Sequence, residues 1–282
     1  TIAGVTIPPN TSEQVVVDDM GAAVRISMTV GTGSDDSAEP WLIRVLLEGS
    51  GLTPEMEAEA VVVKGLRVDR INEDLSGGAD VANAQVLRSN DRLSSRGMKP
   101  VGAGFLTDED TWTKWGKPSL CRRFYNGRDL TDVPRGALAI DTFGLTLEQL
   151  RTNFPEICQH LFDRVKPERD QMKDEAAKRK WWLFERNRPE LRDALAGISK
   201  FIVTPYTSKH RVFQLLETDS LPDDMLVAIA SEDAFHLGVL SSRLHVIWAA
   251  AAGTRLGVGN DLRYNNANCF GAFPFPDATP AQ

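Results

Sequence analysis

Through the first quarter of the chain, apolar residues alternate or come in short blocks. Residues 15–17, 23–30, 43–47 and 61–68 are β-branched or alternating stretches. Turn formers such as GTGSDDSAEP separate them, so a β-rich region is expected here. Residues 74–104 are rich in Ser, Gly, Asn and Arg and predict an extended connection with one short helical piece. The pattern changes from residue 108. The segment DEDTWTKW (108–115) opens with acidic residues, as the first turn of a helix prefers. Residues 122–141 read as a loop and a strand. A helix is expected over 147–153, and Pro155 stands where the next helix tolerates proline. Residues 167–184 predict one long polar helix with Trp181 and Trp182 near its end, and 189–196 a short helix stopped by Gly197. Strands are expected at 200–206, 212–217 and 226–230. Ser231 is placed to cap a single final helix, with Glu232 and Asp233 in its first turn and Gly253 at its end. Its apolar face is expected to be Phe235, Leu240, Leu244, Ile247, Trp248 and Ala251. The pattern predicts an α+β protein of mixed β-strands and helices, with a helical C-terminal part and no internal repeat.

Composition narrows this only a little. The 282 residues are 42% hydrophobic and 25% charged, enough for one large domain or two small ones. No apolar run approaches a membrane span, and no basic-then-apolar leader is visible. Cys121, Cys158 and Cys269 are isolated and odd in number, which suits reduced thiols in a cytoplasmic protein. Without a CxxC or HxxxH spacing, a structural zinc site is not expected. A start at Thr1 rather than Met is read as a piece of a longer protein. The net charge of −7 argues against a non-specific nucleic-acid coat. The charge is nevertheless uneven. Residues 1–100 carry 9 basic and 15 acidic side chains, whereas residues 164–211 carry 13 basic and 7 acidic. One basic sector suits a protein that docks a phosphate backbone on one face; it also suits a solvated helix face.

Candidate chemistry follows the loops. Gly31-Thr-Gly33 follows a strand, but a turn comes next rather than the helix a dinucleotide loop needs, and Gly257-Val-Gly259 follows a helix; neither is expected to bind a cofactor. Residues 122–135 set Arg122, Arg123, Arg128 and Arg135 beside Tyr125 and Asn126. Arginine pairs with phosphate or guanine and asparagine with adenine, while Asn126-Gly127 is also a plain turn signal. The segment TPYTSKHR (204–211) offers hydroxyls and cations suited to phosphate. Ser208, Lys209 and His210 are adjacent on one loop and do not converge as a nucleophile set, so no catalytic residue is expected. His236 and His245 lie nine residues apart, half a turn out of phase on one helix, and cannot share a metal there; they are expected to pack. Arg243 shares the face of His236 and is the better candidate for a polar contact. Asp261 and Arg263, two apart in an extended loop, point the same way. The acid can accept from cytosine N4 and the arginine can donate to guanine, or the two can pair and shape the loop. Phe270, Phe273 and Phe275 are expected to anchor the tail.

Several segments occur in a telling order: RRFYNGRDLT, ALAIDTFGL, VKPERD, WWLFERNRPELRDAL, FIVTPYTSKHRVF, IASEDAFHLGVLSSRLHVIWA and LGVGNDLRYNNANCFGAFPFP. Together they resemble the target-recognition portion of MmeI-like and related type II restriction–modification DNA methyltransferases, a bacterial family, over about residues 69–276. Residues 21–30 resemble the last strands of the catalytic domain that precedes it. The resemblance implies a division into residues 1–68, a β-rich tail of that catalytic domain plus connection, and residues 69–282, the DNA target-recognition domain. It implies double-stranded DNA as partner, the catalytic domain of the same parent chain as neighbour, and N6-methylation of a flipped adenine by a parent enzyme using S-adenosylmethionine. The Asn/Asp-Pro-Pro-Tyr motif of that chemistry is missing, because Pro8-Pro9 sits between Ile7 and Asn10. Arg122, Arg128, Lys209 and Arg211 are then the expected phosphate contacts, and Asn126, Asp261 and Arg263 the expected base readers. The alternative is a protein-interaction module docking on a separate methyltransferase, with Tyr125, Trp181, Trp182 and Tyr264 as anchors. A complete small hydrolase lacks a convergent acid, base and nucleophile in this sequence.

Overall fold

The computed structural model describes residues 14–17, 23–26, 41–47, 62–68, 81, 84–256 and 261–277. The chain divides into two compact units. One takes Thr1–Ala84 and Arg255–Leu262, the other Gln85–Thr254 and Arg263–Gln282. The turn segment 31–40 and both glycine pairs, Gly31/Gly33 and Gly257/Gly259, lie outside the described residues, as do Pro8-Pro9 and the stretch 69–80.

In the first unit two antiparallel pairs are described. β1 (Gln14–Val17) runs against β2 (Ala23–Ile26), with Gln14 opposite Ile26. β3 (Trp41–Leu47) runs against β4 (Val62–Arg67), with Trp41 opposite Arg67 and a register shift between Val45 and Leu47. These are the blocks marked by β-branched residues in the sequence.

The second unit is α+β and is built on two four-stranded sheets. The first has the order β11 (Gln214–Glu217), β9 (Lys200–Pro205), β13 (Leu226–Ile229), β5 (Ser94–Arg96), antiparallel throughout. Its two central strands are near-continuous apolar runs, FIV and LVAI, and both faces are covered, as such runs require. Because side chains alternate along a strand, Phe201, Val203, Leu226 and Ala228 enter one core. Ile202, Val227 and Ile229 enter another, with Leu240, Ala249, Tyr264 and Phe270. The second sheet has the order β12 (Leu221–Pro222), β7 (Cys121–Tyr125), β8 (Leu138–Ile140), β6 (Leu106–Thr107), with β12 parallel to β7 and the other pairs antiparallel. β5 falls where the sequence predicts only an extended connection. Gly97, which follows it, is required: a Cβ there would lie 2.2 Å from the Asp223 carbonyl oxygen.

Local signals explain most helices. Asp108 accepts from the Thr111 N–H at 2.7 Å and starts α1 (Glu109–Lys114). α2 (Gly127–Thr131) follows β7. Thr146 and Gln149 form a reciprocal capping box on α3 (Leu147–Asn153), and Pro155 is the first residue of α4 (Pro155–Arg164). The expected long helix over 167–184 is instead broken into α5 (Lys166–Asp170) and α6 (Glu175–Arg179). Asp174 caps the Ala176 and Ala177 N–H groups, and buried Arg169 donates to the Leu183 carbonyl at 3.1 Å, which ties the Trp181–Trp182 segment back on itself. After α7 (Pro189–Ala194), Gly197 turns the chain at a φ of +88°.

The single final helix is also two: α8 (Ala234–Ser241), capped by Asp233 rather than Ser231, and α9 (Arg243–Ala252), capped by Ser242. Ser242 is extended and its hydroxyl accepts from the His245 N–H at 3.3 Å, an alternative to the helical ladder that serine offers readily. The break resets the helical phase. Leu240, His245, Ala249 and Ala252 are buried, whereas Leu244 and Ile247, expected inside, are 71% and 58% exposed. His245 donates or accepts at 2.9 Å with the Tyr264 hydroxyl, and its ring stacks edge-on against Phe273 at 4.4 Å. Burial, with a smaller contribution from Arg211, lowers its pKa to about 4. His236 bonds Ser231 Oγ at 2.7 Å, and the Ser242 break puts Arg243 at the start of the next helix rather than on one helix with His236. Phe270 and Phe273 are buried, with Phe275 packed against them. Asn90 holds this tail, donating to the carbonyls of Phe270, Gly271 and Phe273.

Candidate functional site

The two polar loops singled out in the sequence, about 80 residues apart, line one groove in the second unit. The first wall is α2. Asn126 is not a loop residue but the N-cap. Its Oδ1 accepts from the Arg128 and Asp129 N–H groups at 2.9 and 3.2 Å, and its own N–H donates to Asp129 at 2.8 Å. Asp129 also binds Arg135 through the backbone N–H and through both Nε and Nη2, at 2.9, 2.9 and 2.7 Å. Burial alone would push this carboxyl up. The Arg135 side chain, the Arg135 N–H and the Asn126 N–H outweigh it and hold the pKa at about 2. The turn is thus shaped by a carboxylate that stays charged. Its outer side carries Arg128, which is exposed and has no side-chain partner among the described residues.

The second wall is Pro205, Thr207 and Ser208, at the end of β9 and on β10 (Thr207–Ser208). Tyr206 N–H donates to the Met225 carbonyl at 2.7 Å and holds this wall to the floor. Ser208 Oγ donates to the His210 carbonyl, and Lys209 and His210 next to it are exposed. Arg211 turns inward. It donates to Thr204 Oγ1 at 3.1 Å and to the Pro205 carbonyl, lies over the Tyr264 ring, and burial lowers its pKa.

The floor is Asp223. Its N–H donates to the Tyr125 carbonyl at 2.8 Å, its Oδ1 accepts from Met225 N–H at 2.7 Å, and Met98 N–H donates to the adjacent Pro222 carbonyl at 2.8 Å. The groove encloses about 410 Å³. Its rim is cationic, its walls carry hydroxyls, and its floor is acidic.

The expected site residues therefore separate. Asn126 and Arg128 line the groove, and Lys209 stands beside its second wall. Arg122 does not face it: this guanidinium donates to the carbonyls of Asp219, Thr218 and Ser220 and to Asp141 at 3.2 Å. Asp141, whose side chain is 6% exposed, is also gripped by Arg192 at 2.7 and 2.9 Å. Arg122 braces a turn, as Arg211 braces a loop. Asp261 and Arg263 are the ends of a short strand (Asp261–Arg263), half-buried, where the chain passes between units; Arg263 Nε is buried with no hydrogen-bond partner. Arg263 does not line the groove. Asp129 and Asp223 escape sequence reasoning. The Pro222-Asp223-Asp224 run signals a turn, but nothing local says that it underlies α2, nearly a hundred residues earlier. Among the described residues no group of three or more His, Cys, Asp or Glu side chains is placed to hold a metal, and no helix is long and apolar enough to cross a membrane.

Comparison with known proteins places these features. DNA methyltransferase A of Bacillus subtilis (strain 168) is 29% identical over 92 residues, 31% of this chain and 10% of that protein, so the chain matches about a tenth of this relative's length. Among solved structures, the type IIL restriction-modification enzyme MmeI in complex with DNA shares the fold, with a TM-score of 0.60 and 17% identity over 78% of this chain and 30% of that one. The family described as MmeI, target recognition domain, matches residues 97–277, which include both walls and the floor of the groove. With most of its length matched, the chain belongs to the MmeI target recognition domain family.

Proposed function

We propose that this chain recognises a specific sequence in double-stranded DNA, as the target-recognition part of an adenine-N6 methyltransferase of a restriction–modification system. The observation that carries this reading is the convergence of the 126–135 and 204–211 segments on one groove with an unpaired cationic rim, inside the region that matches the family. Arg128 and Lys209 are exposed and contact phosphate, while Arg122 braces the 218–220 turn away from the groove and Arg211 holds the second wall from behind. Asn126, Asp261 and Arg263 are proposed base readers, Asn126 through its amide N–H₂, since its Oδ1 caps α2. Residues 1–68 are proposed as the tail of a preceding catalytic domain in the same parent chain. S-adenosylmethionine and the catalytic residues belong to that parent, and no residue of this chain is assigned to either. A cytoplasmic setting agrees with three buried, unpaired cysteines.

The protein-docking alternative loses two of its four expected anchors, because Trp181 and Tyr264 are buried while Tyr125 and Trp182 are half-buried; what favours it is exposed Leu244 and Ile247. Salt separates the two. The affinity of the chain for duplex DNA is measured by fluorescence anisotropy between 50 and 200 mM salt, on the order of the range over which phosphate contacts respond. A steep fall, with a slope reduced by about 2 in a variant carrying Arg128→Ala and Lys209→Ala, is the expected result. A salt-independent affinity, or none, would move the assignment to docking.

A further inference from the structure

We propose that Asp223 is a further specificity-determining residue: its groove-facing carboxylate oxygen accepts a hydrogen bond from the exocyclic amine of a cytosine or adenine in the DNA major groove. This rests on the DNA-recognition reading above.

The two carboxylate oxygens of Asp223 have different surroundings. Oδ1 accepts the Met225 N–H at 2.7 Å and closes a local turn. Oδ2 has no partner among the described residues, yet it is not one of the sealed, unsatisfied polar atoms, and Asp223 lines the groove. It is an acceptor open to whatever enters. The nearby cation does not neutralise it: Arg135 also lines the groove, but its guanidinium is engaged bidentately by Asp129. The neighbouring acid, Asp224, is paired with Arg96 and Arg188. Burial, reinforced by Asp224, raises the pKa of Asp223 against the opposing pull of the Met225 N–H, Arg135 and Arg96.

An anionic floor excludes phosphate, so the DNA backbone is left to the Arg128 rim and the hydroxyl walls. The floor selects a ligand edge that donates. On base edges in the major groove that donor is cytosine N4 or adenine N6. The acceptor is also held rigidly, as a reading group needs to be. Asp223 N–H is bonded to Tyr125, the preceding carbonyl to Met98, and Gly97 permits a backbone approach that any Cβ would block.

The test enriches a randomised duplex library on the full chain and on two variants, and sequences the bound DNA. Asp223→Ala removes the acceptor. Asp223→Asn keeps an oxygen for Met225 and turns an N–H₂ donor into the groove, so it remains informative if the alanine variant fails to fold. The wild-type chain should enrich a motif containing an amino-bearing base at one position. Asp223→Ala should relax that single position about tenfold, and Asp223→Asn should move it towards a keto-bearing guanine or thymine. Identical preferences at every position in wild type and Asp223→Asn overturn the proposal. No motif from the wild-type chain is a different failure: it removes the DNA-recognition reading itself, and this assignment with it.

Discussion

Two polar regions of the second unit use the same residue types in opposite ways. Around Asp141, Arg122 and Arg192 face a buried carboxylate, and Arg122 also meets three backbone carbonyls. In the groove the Arg128 guanidinium meets no partner among the described residues, and one oxygen of Asp223 accepts no hydrogen bond from them. Arg122 and Arg128 are six residues apart with the same side chain. What differs is whether acceptors surround the guanidinium. A satisfied buried ion cluster holds elements together, whereas an unsatisfied charge at a rim is available to a ligand.

The contrast can be broken, with effects of decreasing size. Asp141→Ala leaves two guanidiniums without their shared acceptor and should lower stability by about 3–4 kcal/mol in urea unfolding; a change within the scatter of surface variants would mean that this cluster is no brace. His245 extends the interior class. Its folded pKa of about 4 lies below the ordinary 6.5, so the unfolded chain takes up the proton first. Stability should be full above about pH 6.5 and fall by at most about 3 kcal/mol as pH drops to about 4. His245→Gln should flatten that limb of the stability–pH curve.

Asp129 belongs to both classes, since it is buried but shapes the groove wall. Its folded pKa of about 2, below the ordinary 3.8, means that its contribution is present above about pH 4 and is lost as pH falls towards 2. Asp129→Asn should cost about 1–2 kcal/mol at neutral pH, a moderate value because Arg135 is half exposed, and should remove the acid limb in a pH titration of unfolding. The smallest effect on stability is expected at the rim. Arg128→Ala should change it by less than about 0.5 kcal/mol while lowering DNA affinity for all sequences alike. A loss of stability there as large as at Asp141 would erase the distinction between the regions.

Elements bounded by local chemistry are legible in the sequence: Asp108 starting α1, Pro155 starting α4, Gly197 stopping the chain after α7, and the apolar runs of β9 and β13. Sequence and structure part where a local signal competes with a distant one. Ser242 reads as a tolerable serine inside a helix, yet its hydroxyl starts a new helix and moves Leu244 and Ile247 to the surface. The stretch 167–184 has no glycine, but the Arg169 bond to Leu183 and the Asp174 cap fold it into turns. Asn126-Gly127 reads as a turn by itself and becomes a helix cap only because Asp129 reciprocates.

The sequence by itself determined the alternation of strands and helices, the α+β class, and the ordered segments that mark the family, because caps, prolines, glycines and hydrophobic period act within a few residues. Only the tertiary structure decided which arginines brace and which face outward, and that Asp223 lies under α2. A side chain's availability depends on which carbonyls and carboxylates arrive from elsewhere in the chain, and sequence spacing does not record that.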